Sequence, residues 1–530
     1  MLDDIRDPRR AQQQVLEDLV HISADSLHWK KEKFSGGPNP SMWFRRTLPI
    51  RRYNDFEPLL DAETHTKGGV LSCSPVIRWL KTSGTMGVSK KIPYTLHWLV
   101  QYRIPAMKAM WATYIDYHPA LLSNPYAVLD TQTVRESSND FVHGVPHQAI
   151  SNRHPRVTGN DWNPPWYEAP WFGPSVPNRH EDRMYYRLRH LIGKDLRFIS
   201  SINPSTLISL RDHLLMFAEA LIKDVYDGTL KGVRIDDGNQ FVARNLERVL
   251  QGPDVNLRDV WPTLELFSCW LSASAKLYSR NLSSIFPNVA RIPFMSCGTE
   301  GVVTIPVDND PDSQPLAVNQ GYYEFVPASE DLDAALDAGK VLDTMLFDEL
   351  KIGEDYHLVM SQGNGLYRLV TGDIFRVAGR VGDVPRLHFV RRAGVFHSFT
   401  GEKLTEAQVT EAITVALAQA GLGMGLYMCG PCWETVPFYI ALAETRDGHG
   451  TEDQAFAHSV DETLQRINIE YASKRKSKRL DGIRVITVPP NSISRYVDRK
   501  RANGNSTQFK YKPFHQDTKF VQEIINTIGN

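Results

Sequence analysis

The span richest in reactive groups runs from Lys81 to Lys91, Lys-Thr-Ser-Gly-Thr-Met-Gly-Val-Ser-Lys-Lys. Thr82, Ser83 and Thr85 offer hydroxyl donors, and Lys90 adds a positive charge. Gly84 and Gly87 let the backbone approach a ligand closely and take positive φ. Successive backbone N–H groups in such a loop form an anion nest, which is what a triphosphate needs. The same residue types dominate surface turns, so context decides. The spacing excludes a Walker A loop, in which four residues separate the glycines and lysine follows the second directly. The glycine loop of protein kinases is also missing.

The order Thr82-Ser83-Gly84-Thr85-x-Gly87-x-x-Lys90 resembles the phosphate loop of adenylate-forming enzymes, the superfamily of acyl-CoA synthetases, peptide-synthetase adenylation domains and luciferases. The continuation Lys91-Ile92-Pro93 narrows the resemblance to the plant-hormone acyl acid–amido synthetases (the Gretchen Hagen family) and their bacterial relatives. Adenylation needs a carboxylate oxygen to attack the α-phosphate of ATP, with Mg²⁺ across the phosphates. Phe294-Met295-Ser296-Cys297-Gly298-Thr299-Glu300-Gly301 supplies a hydroxyl, Thr299, and a carboxylate, Glu300. This resembles the superfamily's second motif, which implies α-phosphate contact for Thr299 and metal binding for Glu300. The family usually carries an aromatic residue on adenine where this chain has Ser296. Phe294, Tyr322 or Tyr323 remain as stacking alternatives, and Tyr323-Glu324-Phe325 matches the family's aromatic-Glu-Phe segment.

Three further stretches extend the resemblance. Tyr367-Arg368-Leu369-Val370-Thr371-Gly372-Asp373 is close to the family's Tyr-Arg-Tyr-Arg-Val-Gly-Asp and implies that Asp373, at a turn, accepts the ribose hydroxyls. Arg392 matches an arginine before the hinge; its planar fork grips phosphate or ribose oxygens. Gly401-Glu402-Lys403 matches the hinge itself, and Lys510 in Gln508-Phe509-Lys510 matches the lysine that neutralises the transition state when a small domain closes. Lys512 is the alternative. The five stretches occur in the family's order.

The elements that must carry these residues follow from periodicity. Pro75–Leu80 reads as a strand entering the loop, and a helix begins at Leu96. Helices are expected over 9–33, over Pro204–Val225 with Ser205 as N-cap, over Thr405–Ala420 and from Glu462, with a strand at Phe438–Ala443 and short strands up to 395. Residues 117–182 are rich in Pro, Trp, Asn and His and read as irregular, a place for substrate contacts, with Trp162, Trp166 and Trp171 as pocket candidates. The mixture argues α/β or α+β. The resemblance implies a two-domain adenylate-forming enzyme of the α/β class: a large N-terminal domain of layered β-sheets and helices over 1–400, and a small, mobile α/β domain over 401–530.

Composition sets the outer bounds. With 530 residues, 60 basic and 61 acidic, the chain has no global charge suited to nucleic acid. Lys474–Arg479 is basic but reads as a solvated helix face. No run approaches the roughly 20 apolar residues of a membrane span, and the charged N-terminus lacks a secretory core. Five cysteines form no disulfide framework, so a cytoplasmic location is expected. Cys429-Gly430-Pro431-Cys432 lacks the strand–helix setting of a thiol redox motif, because Pro437 and a strand follow. The resemblance implies ATP and Mg²⁺, a small carboxylic acid and an amine (an amino acid), and no stable protein partner. Coenzyme A or a carrier protein as acyl acceptor, and nucleotide binding without catalysis, stay open as alternatives.

Overall fold

The apolar run before the glycine loop forms the strand Val76–Lys81, and the run after it forms Lys91–Thr95. They pair antiparallel with Lys81 opposite Lys91. The computed structural model describes residues 1–31, 40–81, 91–131, 140–148, 150, 166, 169–172, 176–177, 179–202, 204–272, 279–393, 396–397, 402, 404–422, 425–432, 434, 436–476, 478, 480–503, 511–515 and 517–528. Thr82, Ser83, Gly84, Thr85, Lys90, Trp162 and Lys510 lie outside the described residues, as do the side chains of Ser205 and Arg392. Val145–Gln148 joins parallel to Val76–Lys81, and Phe141–Val142 completes that sheet. Its buried Trp79, Leu80, Ile92 and Tyr94 share a core with Val15, Leu16 and Leu19 of the helix Pro8–Ser23. That helix is started by Asp7, whose side chain accepts from the Arg10 N–H, and by Pro8 in the first turn.

A second sheet is wholly parallel, with Val128–Asp130, Phe198–Ser200, Leu266–Ser268 and Ala290–Arg291 side by side in that order. Its three longer strands are fully buried, as parallel strands covered on both faces are. A third, antiparallel sheet runs Gln314–Pro315, Val384–Arg392, Leu369–Val381, Asp355–Ser361, Tyr322–Pro327. Two of its strands are long, not short as expected. The C-terminal sheet has the order Tyr427–Cys432, Phe438–Glu444, Arg484–Val488, Thr451–Glu452. Helices Glu406–Gln419 and Gln454–Ile467 cover one face. Ser492–Asn503 and Lys519–Ile528 cover the other, and their buried residues continue into the core around the parallel sheet. Among the described residues no helix is long and apolar enough to cross a membrane.

The expected helix over 9–33 stops at Ser23, because the N–H groups of Leu27 and His28 turn aside to the carbonyls of Gly69 and Val70. The expected Pro204–Val225 helix is broken at Phe217 into Pro204–Met216 and Ala218–Asp227. The helix read from Glu462 begins earlier, at Gln454, where Asp453 caps it. It ends at Asn468, whose amide donates to the Glu402 carbonyl. Thr405 and Gln408 form a reciprocal capping box at the start of Glu406–Gln419, close to the expected helix. Arg475 is not a purely solvated charge: its guanidinium holds the buried Asp461 carboxylate at 3.0 Å. Trp166 and Trp171 are fully buried in the main core, with Trp166 packed 4.6 Å from Trp111, so neither lines an open pocket.

Candidate nucleotide site at a hairpin tip and a buried loop

The Ser-Cys-Gly-Thr-Glu stretch is a hairpin. Ser296–Cys297 pairs with Val302–Thr304, and the Gly298 N–H donates to the Gly301 carbonyl at 2.9 Å to close the tip. Thr299 and Glu300 occupy that tip, half-buried, with the Thr299 hydroxyl donating to Glu300 Oε2 at 3.0 Å. The base is held by polar bonds: the Ser296 N–H donates to Thr304 Oγ1, Thr304 Oγ1 donates to Gln314, and Gln314 donates to the Phe294 carbonyl. Ser296 itself is half-buried.

A buried loop, Gln362 to Leu366, joins this hairpin to the strand that leaves the 82–90 segment. Asn364 Nδ2 donates to the Glu300 carbonyl at 3.3 Å. Thr95 Oγ1, at the end of Lys91–Thr95, donates to the Gly363 carbonyl at 3.0 Å, and Trp98 Nε1 donates to Gln362 Oε1 at 3.1 Å. The Gln362 side chain lies between two glycines: a Cβ on Gly321 would fall 2.2 Å from its Nε2, and one on Gly301 2.6 Å from its Cδ. Tyr53 ties the other side, accepting from the Lys91 N–H at 2.8 Å. Burial pushes the Tyr53 hydroxyl up to about 12, and the charges of Glu57, Asp61 and Glu300 act in the same direction. The loop that carries Gln362 and Asn364 thus ties the hairpin tip to the Thr95 end of Lys91–Thr95, while Tyr53 holds the Lys91 end, near enough to the tip to feel the Glu300 charge. Sequence reasoning passed over all three. Gln362 and Asn364 flank a glycine in a turn-forming run, which was their only local signal.

Asp373 is half-buried within the strand Leu369–Val381 instead of in a turn. The strand is irregular there: Gly372 has φ +78° and the register shifts just after Ile374. Asp373 sits directly opposite Arg392 in the ladder, so the structure brings these two positions together. The neighbouring motif residue Arg368 points away into the interior. Its Nε and Nη2 hold the Glu324 carboxylate at 3.0 and 2.8 Å, and its Nη1 donates to the carbonyls of Arg45 and Leu48. Glu324 also accepts from the Thr344 hydroxyl at 2.6 Å. The two family-like stretches, Tyr-Glu-Phe and Tyr-Arg, are therefore the two halves of one internal ion pair.

The expected stacking surface at Tyr323 does not hold in this conformation. Its ring is fully buried and its hydroxyl donates to the Val302 carbonyl at 2.6 Å. Phe294 and Tyr322 are buried as well. The side chain of Tyr323 supports the floor beneath the hairpin and leaves no ring face open. Lys512, the alternative to Lys510, lies in the described segment that follows it, with its carbonyl accepting from His515 Nε2 at 2.7 Å. Cys429 is fully buried and the Cys429-Gly-Pro-Cys432 stretch is a strand.

Three domains of one family match the chain in order. The GH3 family N-terminal domain matches residues 1–291, the central domain 314–392 and the C-terminal domain 407–519. The chain belongs to the GH3 family. This GH3 chain is 21% identical to the indole-3-acetic acid-amido synthetase GH3.4 of Arabidopsis thaliana, across 95% of itself and 89% of that protein. It is 24% identical to the 4-substituted benzoates-glutamate ligase GH3.12 of Arabidopsis thaliana, across 79% and 76%. In fold it is similar to the AtGH3.15 acyl acid amido synthetase solved in complex with 2,4-DB, with a TM-score of 0.79 at 18% identity, covering 99% of this chain and 94% of that one. A second GH3.15 structure gives a TM-score of 0.80 at 17% identity, covering 99% and 95%. The fold is that of these GH3.15 structures. Within the GH3 frame, Glu324, Arg368, Asp373 and Arg392 fall in the central domain, while the Ser296–Thr304 hairpin lies between the N-terminal and central matches.

Proposed function

We propose that this GH3 protein is an ATP-dependent ligase that adenylates a carboxylic acid and passes the acyl group to an amine, an amino acid. The observation that carries the reading is Tyr53, which accepts from the Lys91 N–H at the edge of residues 82–90 and lies close enough to the Thr299–Glu300 tip for the Glu300 charge to act on its hydroxyl. The family membership and the acid–amino acid ligases among the relatives support the choice of reaction.

In the first half-reaction a carboxylate oxygen of the acid attacks the α-phosphorus of ATP. The bond from that phosphorus to the bridging oxygen breaks, and pyrophosphate leaves with the electron pair. Thr82, Ser83, Gly84, Thr85 and Lys90 hold the phosphates, the Thr299 hydroxyl orients the α-phosphate, Asp373 takes the ribose hydroxyls, and Arg392 grips phosphate or ribose oxygens. Lys510 neutralises the charge that develops on the pentavalent phosphorus. Ser296 stands beside the base, where a small residue leaves the adenine unstacked from that side. Magnesium binding with triphosphate takes one or two carboxylates plus phosphate oxygens. Glu300, half-buried and already oriented by Thr299, fits that donor set. When bound there, Mg²⁺ neutralises charge on the departing phosphates. In the second half-reaction the neutral amine attacks the acyl carbon, the carbon–oxygen bond to phosphate breaks, AMP leaves with the electron pair, and the amine proton passes to solvent or a base.

We divide the chain into an ATP and acyl domain over 1–400 and a mobile domain over 401–530, which rotates between the half-reactions. The buried hinge residue Glu402 supports that boundary. The free state of all five cysteines supports a cytoplasmic location. The test is mass spectrometry of one mixture containing the protein, ATP, Mg²⁺, indole-3-acetate, substituted benzoates and other carboxylic acids, the amino acids and coenzyme A. Acid-dependent AMP with a new amide mass is the expected result. A thioester mass instead would move the reading to a CoA ligase, and ATP binding without AMP under every pool would overturn catalysis.

A further inference from the structure

The turn Trp98–Arg103 is a π-helix, closed by the Ile104 N–H donating to the Leu99 carbonyl, five residues back instead of four. Residues five apart lie about 140° from each other around an α-helix, whereas a π-turn brings them onto one side. His97 and Tyr102 are five apart, and both reach one oxygen. His97 Nε2 lies 2.7 Å from Asp18 Oδ2, and the Tyr102 hydroxyl donates to the same atom. The two rings meet edge-on at 5.9 Å. Asp18 comes from the helix Pro8–Ser23. Burial pushes its carboxyl up, but the bonds from His97 and Tyr102, with the nearby His21, outweigh burial and hold it below its ordinary value. The same turn is the bed of the buried loop from Gln362 to Leu366. A Cβ on Gly363 would fall 3.1 Å from the Tyr102 ring and 3.4 Å from Trp98 Cα, so that backbone rests directly on the turn. The next residue, Asn364, accepts from the Leu366 N–H at 3.1 Å and donates to the Glu300 carbonyl. Contacts therefore run without a gap from Asp18 through Tyr102, Gly363 and Asn364 to the hairpin tip.

We propose that Asp18 is a positioning residue for adenylation: it fixes Tyr102 against Gly363 and thereby sets where the Thr299–Glu300 tip stands. The inference rests on the roles given to Thr299 and Glu300 above. Without the carboxylate, His97 and Tyr102 lose their common anchor, and the loop that carries Asn364 gains room to shift. The Asp18 side chain is 34% exposed, so water takes its place when it is cut back and the fold is spared. Tyr102 is buried and keeps its ring in the core, which confines the effect to the line from the π-turn to the tip.

The test uses the full-length protein with Asp18→Ala, Asp18→Asn, Tyr102→Phe and Asn364→Ala. In hydrogen exchange, which needs no substrate, Asp18→Ala and Tyr102→Phe raise exchange in peptides spanning 294–305 and 360–367 and leave the helix Pro8–Ser23 protected. Unchanged exchange in both peptides would overturn the proposal. In kinetics with the acid found by the screen, adenylation is read as ATP–pyrophosphate exchange and acyl transfer as amide formation from supplied acyl-adenylate. Asp18→Ala lowers kcat for adenylation about 10-fold, a loss expected of misplacement. It raises the Mg²⁺ concentration for half-maximal exchange about 10-fold, because Glu300 is displaced, while acyl transfer keeps its wild-type rate. Asp18→Asn restores both values, since its amide oxygen takes the place of Oδ2. Asp18→Ala combined with Asn364→Ala is no slower than Asn364→Ala alone. Wild-type adenylation in both Asp18→Ala and Tyr102→Phe, or equal slowing of both half-reactions, would refute the positioning role and leave the ligase reading intact. Absence of AMP from the wild type with every acid would remove that reading, and the exchange measurement would still decide whether Asp18 holds the tip.

Discussion

Replacing Arg368 by Met should destabilise the protein by about 3–5 kcal/mol, the range for breaking a buried ion pair by removing one partner. The magnitude follows from what the guanidinium holds. Both Glu324 oxygens face it at 2.8 and 3.0 Å, and the two side chains are 1% and 3% exposed, so the stranded carboxylate gains no water. The carbonyls of Arg45 and Leu48 lose their donor as well. Each buried acceptor left without a partner costs about 1–3 kcal/mol. Glu324→Gln should cost less, because the amide oxygen still accepts from the guanidinium. The double variant Glu324→Gln/Arg368→Met should fall short of the sum of the single effects by about 2–3 kcal/mol, the coupling expected of residues in contact. Urea denaturation followed by tryptophan fluorescence reads all three. KM for ATP should remain near wild type in whatever fraction is folded, because Arg368 faces the interior and not the nucleotide. A single-variant cost below about 1 kcal/mol, or strict additivity, would show that the pair is not the buried unit inferred from its geometry.

Asn364→Ala removes the tie to the Glu300 carbonyl and the acceptor of the buried Leu366 N–H, and should lower adenylation about 10-fold and stability by about 1–3 kcal/mol; ATP–pyrophosphate exchange and urea denaturation check both parts. Gly321→Ala drives a Cβ to 2.2 Å from Gln362 and should cost about 1–3 kcal/mol by overpacking, and Gln362→Ala in that background should recover part of the loss in urea midpoint. Glu63 and Glu444 are both pushed up to about 7, burial being the cause and backbone N–H donation the opposing influence. Each holds a proton in the folded chain that the unfolded chain releases near 4.5, so the stability they lend is complete below about pH 4.5 and is lost as pH rises through 7. The gap is worth about 3 kcal/mol per group. Glu63→Gln should flatten the fall in denaturation midpoint between pH 5 and 8, and an unchanged slope would refute the assignment.

Local signals in the sequence were enough for the strand entering the glycine loop, the helix Glu406–Gln419 and the glycine turn that carries Thr299 and Glu300. In each case the deciding information was within a few residues: an apolar run, a helical stripe of Val409, Ile413 and Leu417, a glycine turn. What escaped was decided at long range. The helix from Pro8 ends where backbone N–H groups find Gly69 and Val70, some 40 residues away by ~sequence order. The helix Ser492–Asn503 gives no clear pattern because, among its described residues, the buried apolar ones are Ile493, Tyr496 and Val497, a stripe too narrow to stand out. Tyr323 looked like an adenine platform because it neighbours the family-like Glu-Phe, yet strand alternation in a sheet covered on both sides gave its ring no open face. Asn364 and Gln362 carry no pattern of their own, since their importance arises from contacts with residues 64 and 264 positions away.

The pairing of Lys81 with Lys91 has a thermodynamic meaning for ligand binding. Joining the ends of a flexible chain of about nine residues carries an entropic penalty that grows as the logarithm of its length, about 2 kcal/mol for the length-dependent part. Here the ladder, buried on Trp79, Leu80 and Tyr94, meets that penalty during folding. If residues 82–90 bind phosphate as proposed, the affinity does not carry the cost of bringing Lys81 and Lys91 together. Lengthening the loop by one or two residues would barely alter that ring-closure term, so any large loss of affinity in such an insertion would report on the placement of the donors themselves.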